Sequence, residues 1–161
     1  MKIRTGTLRA LKEKNQKFAA LTSYDAMTAD IFDQAGIEVL LVGDSASEIV
    51  LANASPLPVT LDEMLAFGRA VARSAKQALV VLDLPFGSYE QGAKQALASG
   101  IKALKETGVA AVKLEGPKVE QIKALTSNGI PVMGHVGFTP QSVHALGGFK
   151  VQGRGEGAEK I

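Results

Sequence analysis

Apolar residues fall in short unbroken blocks along this chain, and stretches of helical periodicity separate the blocks. The clearest block is Val39 to Ser45, VLLVGDS, in which four apolar residues lead into Gly43, Asp44 and Ser45. An apolar run without alternation fits a strand covered on both faces, as in a parallel sheet. Gly43 lets the chain leave the strand sharply. Asp44 and Ser45 then stand at the C-terminal end of the strand, where parallel α/β folds place their chemistry. The layout repeats in ALVVLDLP, a strand over Ala78–Leu84 with Asp83 at its end. It repeats again in VAAVKLEG, a strand over Val109–Leu114 that delivers Lys113 and Glu115. Phe18–Thr22 and Ile130–Gly134 supply two further strands, the second running into His135.

Between these blocks the period changes to that of a helix. Leu8–Asn15 is amphipathic. Ser23 or Asp25 caps a helix that runs to about Gln34, with Met27, Ile31 and Ala35 at helical spacing and Gly36 as its stop. Thr60 precedes Asp62 and Glu63, acidic residues suited to a first turn. The helix they open reaches about Ser74, with Leu61, Met64, Leu65, Gly68 and Val71 inward. Further helices are predicted over Glu90–Thr107, closed by Gly108, and over Lys118–Ser127, closed by Asn128-Gly129. The glycine-rich tail holds one short helical piece, Pro140–Ala145. Ala46–Thr60 reads as a long βα loop stiffened by Pro56 and Pro58.

Strict alternation of strand and helix argues for a parallel sheet with helical crossovers. An open doubly wound sheet and a (βα)8 barrel both satisfy it. No G-x-G-x-x-G or P-loop follows any strand. Polar residues at successive strand ends favour the barrel, whose sites draw on several strands. A whole barrel needs about 250 residues, and this chain has 161. The expectation is an α/β chain of TIM-barrel type with only the first five strands present. It would be a single domain over residues 1–161, the truncated N-terminal portion of such a barrel.

Composition narrows the function. The net charge is +2, and the 18 basic residues form no block. Aromatic residues make up 5%. Neither a nucleic-acid partner nor a charged membrane surface is expected. Cysteine is absent, which removes disulfides, thiolate catalysis and zinc–thiolate sites. The N-terminus lacks an apolar stretch of signal-peptide length, and no run of about 18 apolar residues exists. A cytoplasmic protein is the expected default.

The candidate chemistry lies in Asp44, Asp83 and Glu115. Carboxylates converging at low dielectric repel one another unless a cation joins them. With oxygen ligands only, a hard cation such as Mg²⁺ is favoured over zinc. The plainer alternative is that each caps a helix or pairs with a lysine. Lys113 and Glu115 point the same way, being two apart on a strand. Lys113 could hold an acidic substrate, form a Schiff base, or pair with Glu115. His135 could orient a ligand or shuttle a proton, and His144 is expected to face solvent. Ser45 could donate to a substrate carboxylate or cap the next helix. Tyr24 and Asp25 are further rim candidates, with helix capping as the alternative.

The segments TSYDAMTADIF, LLVGDS, LPVT, DLPFGSY, VKLEG, PVMGHVGFTPQSV and GGFKVQGRG follow one another in order. Together they resemble the ketopantoate hydroxymethyltransferase family of the phosphoenolpyruvate mutase/isocitrate lyase superfamily, from about residue 5 to the last. The resemblance implies a (βα)8 barrel in which Asp44 and Asp83 hold Mg²⁺, with Glu115 joining directly or through water. It implies that Asp44, Ser45, Asp83 and Lys113 bind a 2-oxo acid, 3-methyl-2-oxobutanoate, while His135 is a candidate catalytic accessory from its place at a strand end. An Mg²⁺-stabilised enolate would then attack the one-carbon unit of the co-substrate 5,10-methylenetetrahydrofolate, giving ketopantoate for pantothenate synthesis. It also implies a homo-oligomer, a decamer in the family. Two departures stand out. The family's general base is a Glu on a strand expected beyond Ile161. The segment Ala46–Thr60 carries Ala52, Asn53 and Ala54 where glycine and polar residues are common. Another 2-oxo-acid lyase of the superfamily, and an inactive fragment keeping fold and metal site, remain alternatives.

Overall fold

The computed structural model describes residues 1–161, apart from the side chains of Glu156 and Lys160. Five parallel strands follow in sequence: β1 (Ala20–Thr22), β2 (Val39–Val42), β3 (Leu79–Asp83), β4 (Ala111–Glu115) and β5 (Val132–His135). Each pairs with the next, so their order in the sheet is the order in the chain. A doubly wound sheet reverses its strand order at a switch point. This one does not, which makes it a barrel-type arc.

Helices α2 (Ala26–Gln34), α4 (Leu61–Ser74), α5 (Ala93–Thr107) and α6 (Val119–Ser127) form the outer layer. There α2 packs on α4, α4 on α5, and α5 on α6. Alternate residues of the central strands divide between two cores. Leu40, Val42, Val80, Leu82, Val112 and Leu114 join the helices in the larger one. Val39, Leu79, Val81 and Ala111 face the other way, where Ile3 and Leu8 pack against them. Leu8 belongs to α1 (Thr5–Glu13), and the segment before it is tied down by the Ile3 amide donating to the Gln77 carbonyl at 2.7 Å.

Several local expectations hold. Asp25 caps α2 by accepting from the Thr28 amide at 2.8 Å. Thr60 and Glu63 form a capping box on α4. Gly108 closes α5 in the left-handed region, at φ 83°.

Other expectations are corrected. On α2 the apolar positions Met27 and Ile31 are 71% and 56% exposed, while Ala29 and the charged Asp33 are buried. Asp33 turns inward because it accepts from the amides of Lys76, Gln77 and Ala78, which lead into β3. The α5 helix begins at Ala93 rather than Glu90, since Gly92 at φ 111° breaks the helical path before it. Ala46–Thr60 is not all loop. A single turn, α3 (Ala46–Ile49), opens it. The buried Ser47 then gathers the rest, its hydroxyl donating to Ser55 O at 2.8 Å and accepting from Asn53 Nδ2 at 3.1 Å. In the tail, a 3₁₀ turn, Pro140–Ser142, replaces the longer helical piece, and a second 3₁₀ segment, Gly155–Lys160, stands where no further helix was expected.

Candidate metal and substrate site

The register of the sheet builds the site. Asp83 stands opposite Lys113, and Glu115 stands opposite His135. Strand residues two apart share a face, so Lys113 and Glu115 point with Asp83 and His135 into the concave side of the arc. Asp44 arrives from the turn after β2 and is 5% exposed, against 2% for Asp83, 7% for Lys113 and 3% for Glu115.

Two linked sets of contacts organise these groups. In the first, Lys113 Nζ lies 2.6 Å from Asp83 Oδ2 and 3.7 Å from Glu115 Oε1. The Asp44 amide donates to the same Asp83 oxygen at 3.4 Å. The second set centres on Gln141, which is buried in the Pro140–Ser142 turn. Its Nε2 donates to Asp44 Oδ2 at 2.8 Å and to Leu84 O at 3.0 Å, and its amide donates to Glu115 Oε2 at 3.0 Å. The Tyr89 hydroxyl donates to Gln141 Oε1 and accepts from the Glu115 amide at 3.2 Å. His135 Nδ1 meets Glu115 Oε1 at 3.0 Å. Ser45 makes no side-chain cap for α3; its hydroxyl meets the Tyr24 hydroxyl at 2.7 Å.

Electrostatics sharpen the picture around Asp83. Burial pushes its carboxyl up to about 7, Lys113 pulls it down, and Asp44 pushes it up again. Burial likewise raises the Tyr89 hydroxyl. Asp83 Oδ1 is buried and, among the described residues, has no hydrogen-bond partner. An orphaned carboxylate oxygen beside a second carboxylate is a place for a cation. Mg²⁺ commonly takes one or two protein carboxylates and completes its shell with water and substrate oxygens, and the Asp44–Asp83 pair meets that requirement.

Of the residues expected from sequence, Asp44, Ser45, Asp83, Lys113, Glu115 and His135 lie along one rim. Among the described residues, no three His, Asp or Glu side chains are grouped to hold a metal ion. Glu115 is bound to Lys113, His135 and Gln141. Asp25 is occupied with its helix cap, and His144 is exposed. Sequence reasoning did not single out Gln141 or Tyr89. Both lie in distinctive segments, but a polar residue in a glycine-rich stretch carries no periodicity that announces burial.

A sequential parallel arc with acidic and basic groups at its C-terminal rim defines a barrel-type α/β fold. Solved structures share it. Phosphonopyruvate hydrolase, crystallised in complex with oxalate and Mg²⁺, aligns with a TM-score of 0.65 at 18% identity, over 86% of this chain and 52% of that one. The lyase 2,3-dimethylmalate lyase, a PEP mutase/isocitrate lyase superfamily member, aligns with a TM-score of 0.60 at 19% identity, over 83% and 51%.

The more specific assignment comes from sequence likeness: the chain belongs to the ketopantoate hydroxymethyltransferase family, whose model matches residues 2–161. It is 59% identical to the 3-methyl-2-oxobutanoate hydroxymethyltransferase of Arthrobacter sp. (strain FB24), over 99% of this chain and 54% of that protein. It is 56% identical to the enzyme of the same name from Leifsonia xyli subsp. xyli (strain CTCB07), over 99% and 58%. The chain thus spans a little over half the length of the curated relatives it matches. No helix among the described residues is long and apolar enough to cross a membrane.

Proposed function

We propose that this chain provides the metal- and oxo-acid-binding rim of an enzyme that transfers a hydroxymethyl group from 5,10-methylenetetrahydrofolate to 3-methyl-2-oxobutanoate, giving ketopantoate. The observation that carries the reading is the buried Asp44–Asp83 pair with Asp83 Oδ1 unpartnered, in a chain of this family. A Mg²⁺ held by Asp44 and Asp83 would polarise the keto oxygen and stabilise the negative charge that develops there when C3 loses its proton.

The chain's own groups do the rest of the holding. Lys113 Nζ, between two carboxylates, supplies the positive charge that an incoming substrate carboxylate needs. Ser45 Oγ, steadied by Tyr24, is the hydroxyl that would hydrogen-bond that carboxylate. Glu115, itself held by His135 at 3.0 Å, lies 3.7 Å from Lys113 Nζ. No residue of this chain is assigned the C3 proton. Lys113 is already engaged in a 2.6 Å ion pair, which favours a charge bridge over a Schiff-base nucleophile.

A second reading has its own support in the 54% span of the Arthrobacter relative: the chain binds cation and oxo acid without turnover. Incubation with oxo acid, Mg²⁺ and methylenetetrahydrofolate, with mass-spectrometric detection of ketopantoate, separates the two readings. EDTA-sensitive product supports the transferase, and saturable binding of Mg²⁺ and oxo acid without product supports the second reading. EDTA-resistant turnover with borohydride trapping at Lys113 would overturn both.

A further inference from the structure

The segment that leaves β5 carries a feature that neither the fold nor the rim chemistry uses. It runs from His135 through Phe138 to the buried Gln141, and Gly147 and Gly148, at φ 70° and 103°, then turn it back on itself. The Gly148 amide donates to Val143 O at 2.9 Å and closes the turn. Phe149 is thereby laid against Phe138, with ring centroids 5.5 Å apart and planes tilted by 44°. Among the described residues, neither ring joins either hydrophobic core, and Phe149 is 72% exposed. The pair walls a cleft of about 260 Å³ whose other lining residues are Lys150 and Val151. Lys150 is exposed, and its Nζ lies over the Gly147 turn, 3.3 Å from where a Cβ on that glycine would stand. Phe138 is three residues from His135 and three from Gln141, so its Cα lies within about 11 Å of two residues of the rim.

Resting on the transfer reaction proposed above, we propose that Phe138, Phe149 and Lys150 form the subsite for the p-aminobenzoylglutamate half of methylenetetrahydrofolate. An exposed pair of aromatic rings is a surface for a planar aromatic ligand, which stacks on a ring face or packs against an edge. The co-substrate has two such parts, a pteridine and a p-aminobenzoyl ring, and the cleft discriminates between them. A pteridine carries N–H donors that need acceptors once water is removed. The side chains of two Phe, a Val and a Lys offer none. The p-aminobenzoyl ring presents apolar faces, and the glutamate attached to it is anionic, which the Lys150 ammonium complements. Position agrees with chemistry. The one-carbon unit bridges N5 and N10, and N10 is bonded to the aryl ring, so that ring stays beside the reacting carbon. A subsite anchored between His135 and Gln141, next to the oxo-acid rim, meets that requirement.

The test is NMR titration of this chain with three ligands: p-aminobenzoylglutamate, 4-aminobenzamide, which lacks the glutamate, and 5-formyltetrahydrofolate, a stable reduced folate. The variants are Phe149→Ala and Lys150→Gln, both at exposed positions outside the cores, with circular dichroism confirming the fold. Phe149→Ala is expected to bind p-aminobenzoylglutamate and 5-formyltetrahydrofolate about tenfold more weakly, with oxo-acid affinity unchanged. Lys150→Gln should weaken the two glutamate-bearing ligands about two- to fivefold and leave 4-aminobenzamide unmoved. Equal affinities in the unmodified chain and in folded Phe149→Ala overturn the inference and leave the proposed transfer standing. An effect of Lys150→Gln that is the same for all three ligands overturns the assignment of the glutamate to Lys150. Failure of the unmodified chain to bind any of the three overturns the inference together with the folate step of the proposed function, while binding of Mg²⁺ and oxo acid is read separately. Should Phe149→Ala fail to fold, Phe149→Leu decides. It keeps apolar bulk and loses the ring, so weaker binding supports the inference and an unmoved affinity overturns it.

Discussion

Asp83 and Lys113 occupy opposite places in the register of β3 and β4, and their side chains close a 2.6 Å ion pair on the concave face. Both are almost wholly buried, so neither charge has water as a substitute partner. Removing one member of such a pair strands the other and costs about 3–5 kcal/mol, whereas replacing both by neutral groups costs far less. Lys113→Met is therefore expected to lower the denaturation midpoint strongly. Asp83→Asn combined with Lys113→Met should recover much of that loss. A double-mutant cycle by urea unfolding measures the coupling, and strictly additive losses would show that the pair is not the structural unit described.

Metal binding at this rim should be proton-linked. Burial holds the Asp83 carboxyl up at about 7, with Lys113 opposing and Asp44 reinforcing the rise. A divalent ion binds the ionised carboxylate and so competes with the proton. Below about pH 7 the proton wins, and affinity falls as pH falls. Mn²⁺ is expected to bind about tenfold more tightly at pH 8 than at pH 6. Isothermal titration in two buffers of different ionisation enthalpy reads both the affinity and the proton released. Equal affinity across that window would mean that Asp83 is ionised throughout.

A second buried carboxylate has a structural role. Burial alone would raise the Asp33 carboxyl, but donations from the Ala78, Gln77 and Lys76 amides outweigh it and leave it below its ordinary value, with Lys2 assisting. These bonds fasten the end of α2 to the start of β3. Asp33→Asn keeps the shape and loses the charge, so it should destabilise the chain by about 2–3 kcal/mol near neutral pH. Because the folded value lies below the unfolded one, this stabilisation is present above about pH 3.9. It disappears as pH falls through the depressed folded value. Unfolding curves of the two proteins should therefore stand apart at pH 7 and converge in acid.

Asp33 also marks the limit of what the sequence discloses. Strands β2, β3 and β4 are legible because unbroken apolar runs leave no other structure for them. The rim positions of Asp44, Asp83, Lys113 and Glu115 follow from strand ends and a period of two. Helix α2 misleads for a physical reason. Its apolar positions, Met27 and Ile31, face outward, and its inward face is set by three amides that lie more than forty residues downstream. Gln141 and Tyr89 were hidden in the same way, since the partners that make them matter, Asp44 and Glu115, belong to other elements. Periodicity reports local exposure; it carries no record of a hydrogen bond across the fold.

Ala52 offers the sharpest local test. It lies in the segment after α3 and takes φ 57°, the left-handed region, with an exposed side chain. A Cβ in that region costs roughly 1–2 kcal/mol, and the conformation is held by the neighbouring Asn53, whose amide donates to Ser47 O at 2.9 Å. Glycine would relieve the strain. Against this, glycine loosens the unfolded chain, an opposing effect of about 0.4–1 kcal/mol. Because the methyl group is exposed, no packing is lost. The two terms leave Ala52→Gly more stable by roughly 0–1.6 kcal/mol. The loop sits directly after Asp44 and Ser45, so the substitution should also leave Mn²⁺ affinity unchanged if Ser47 fixes the loop as described. A midpoint that drops on Ala52→Gly would show that the left-handed turn at Ala52 is not populated.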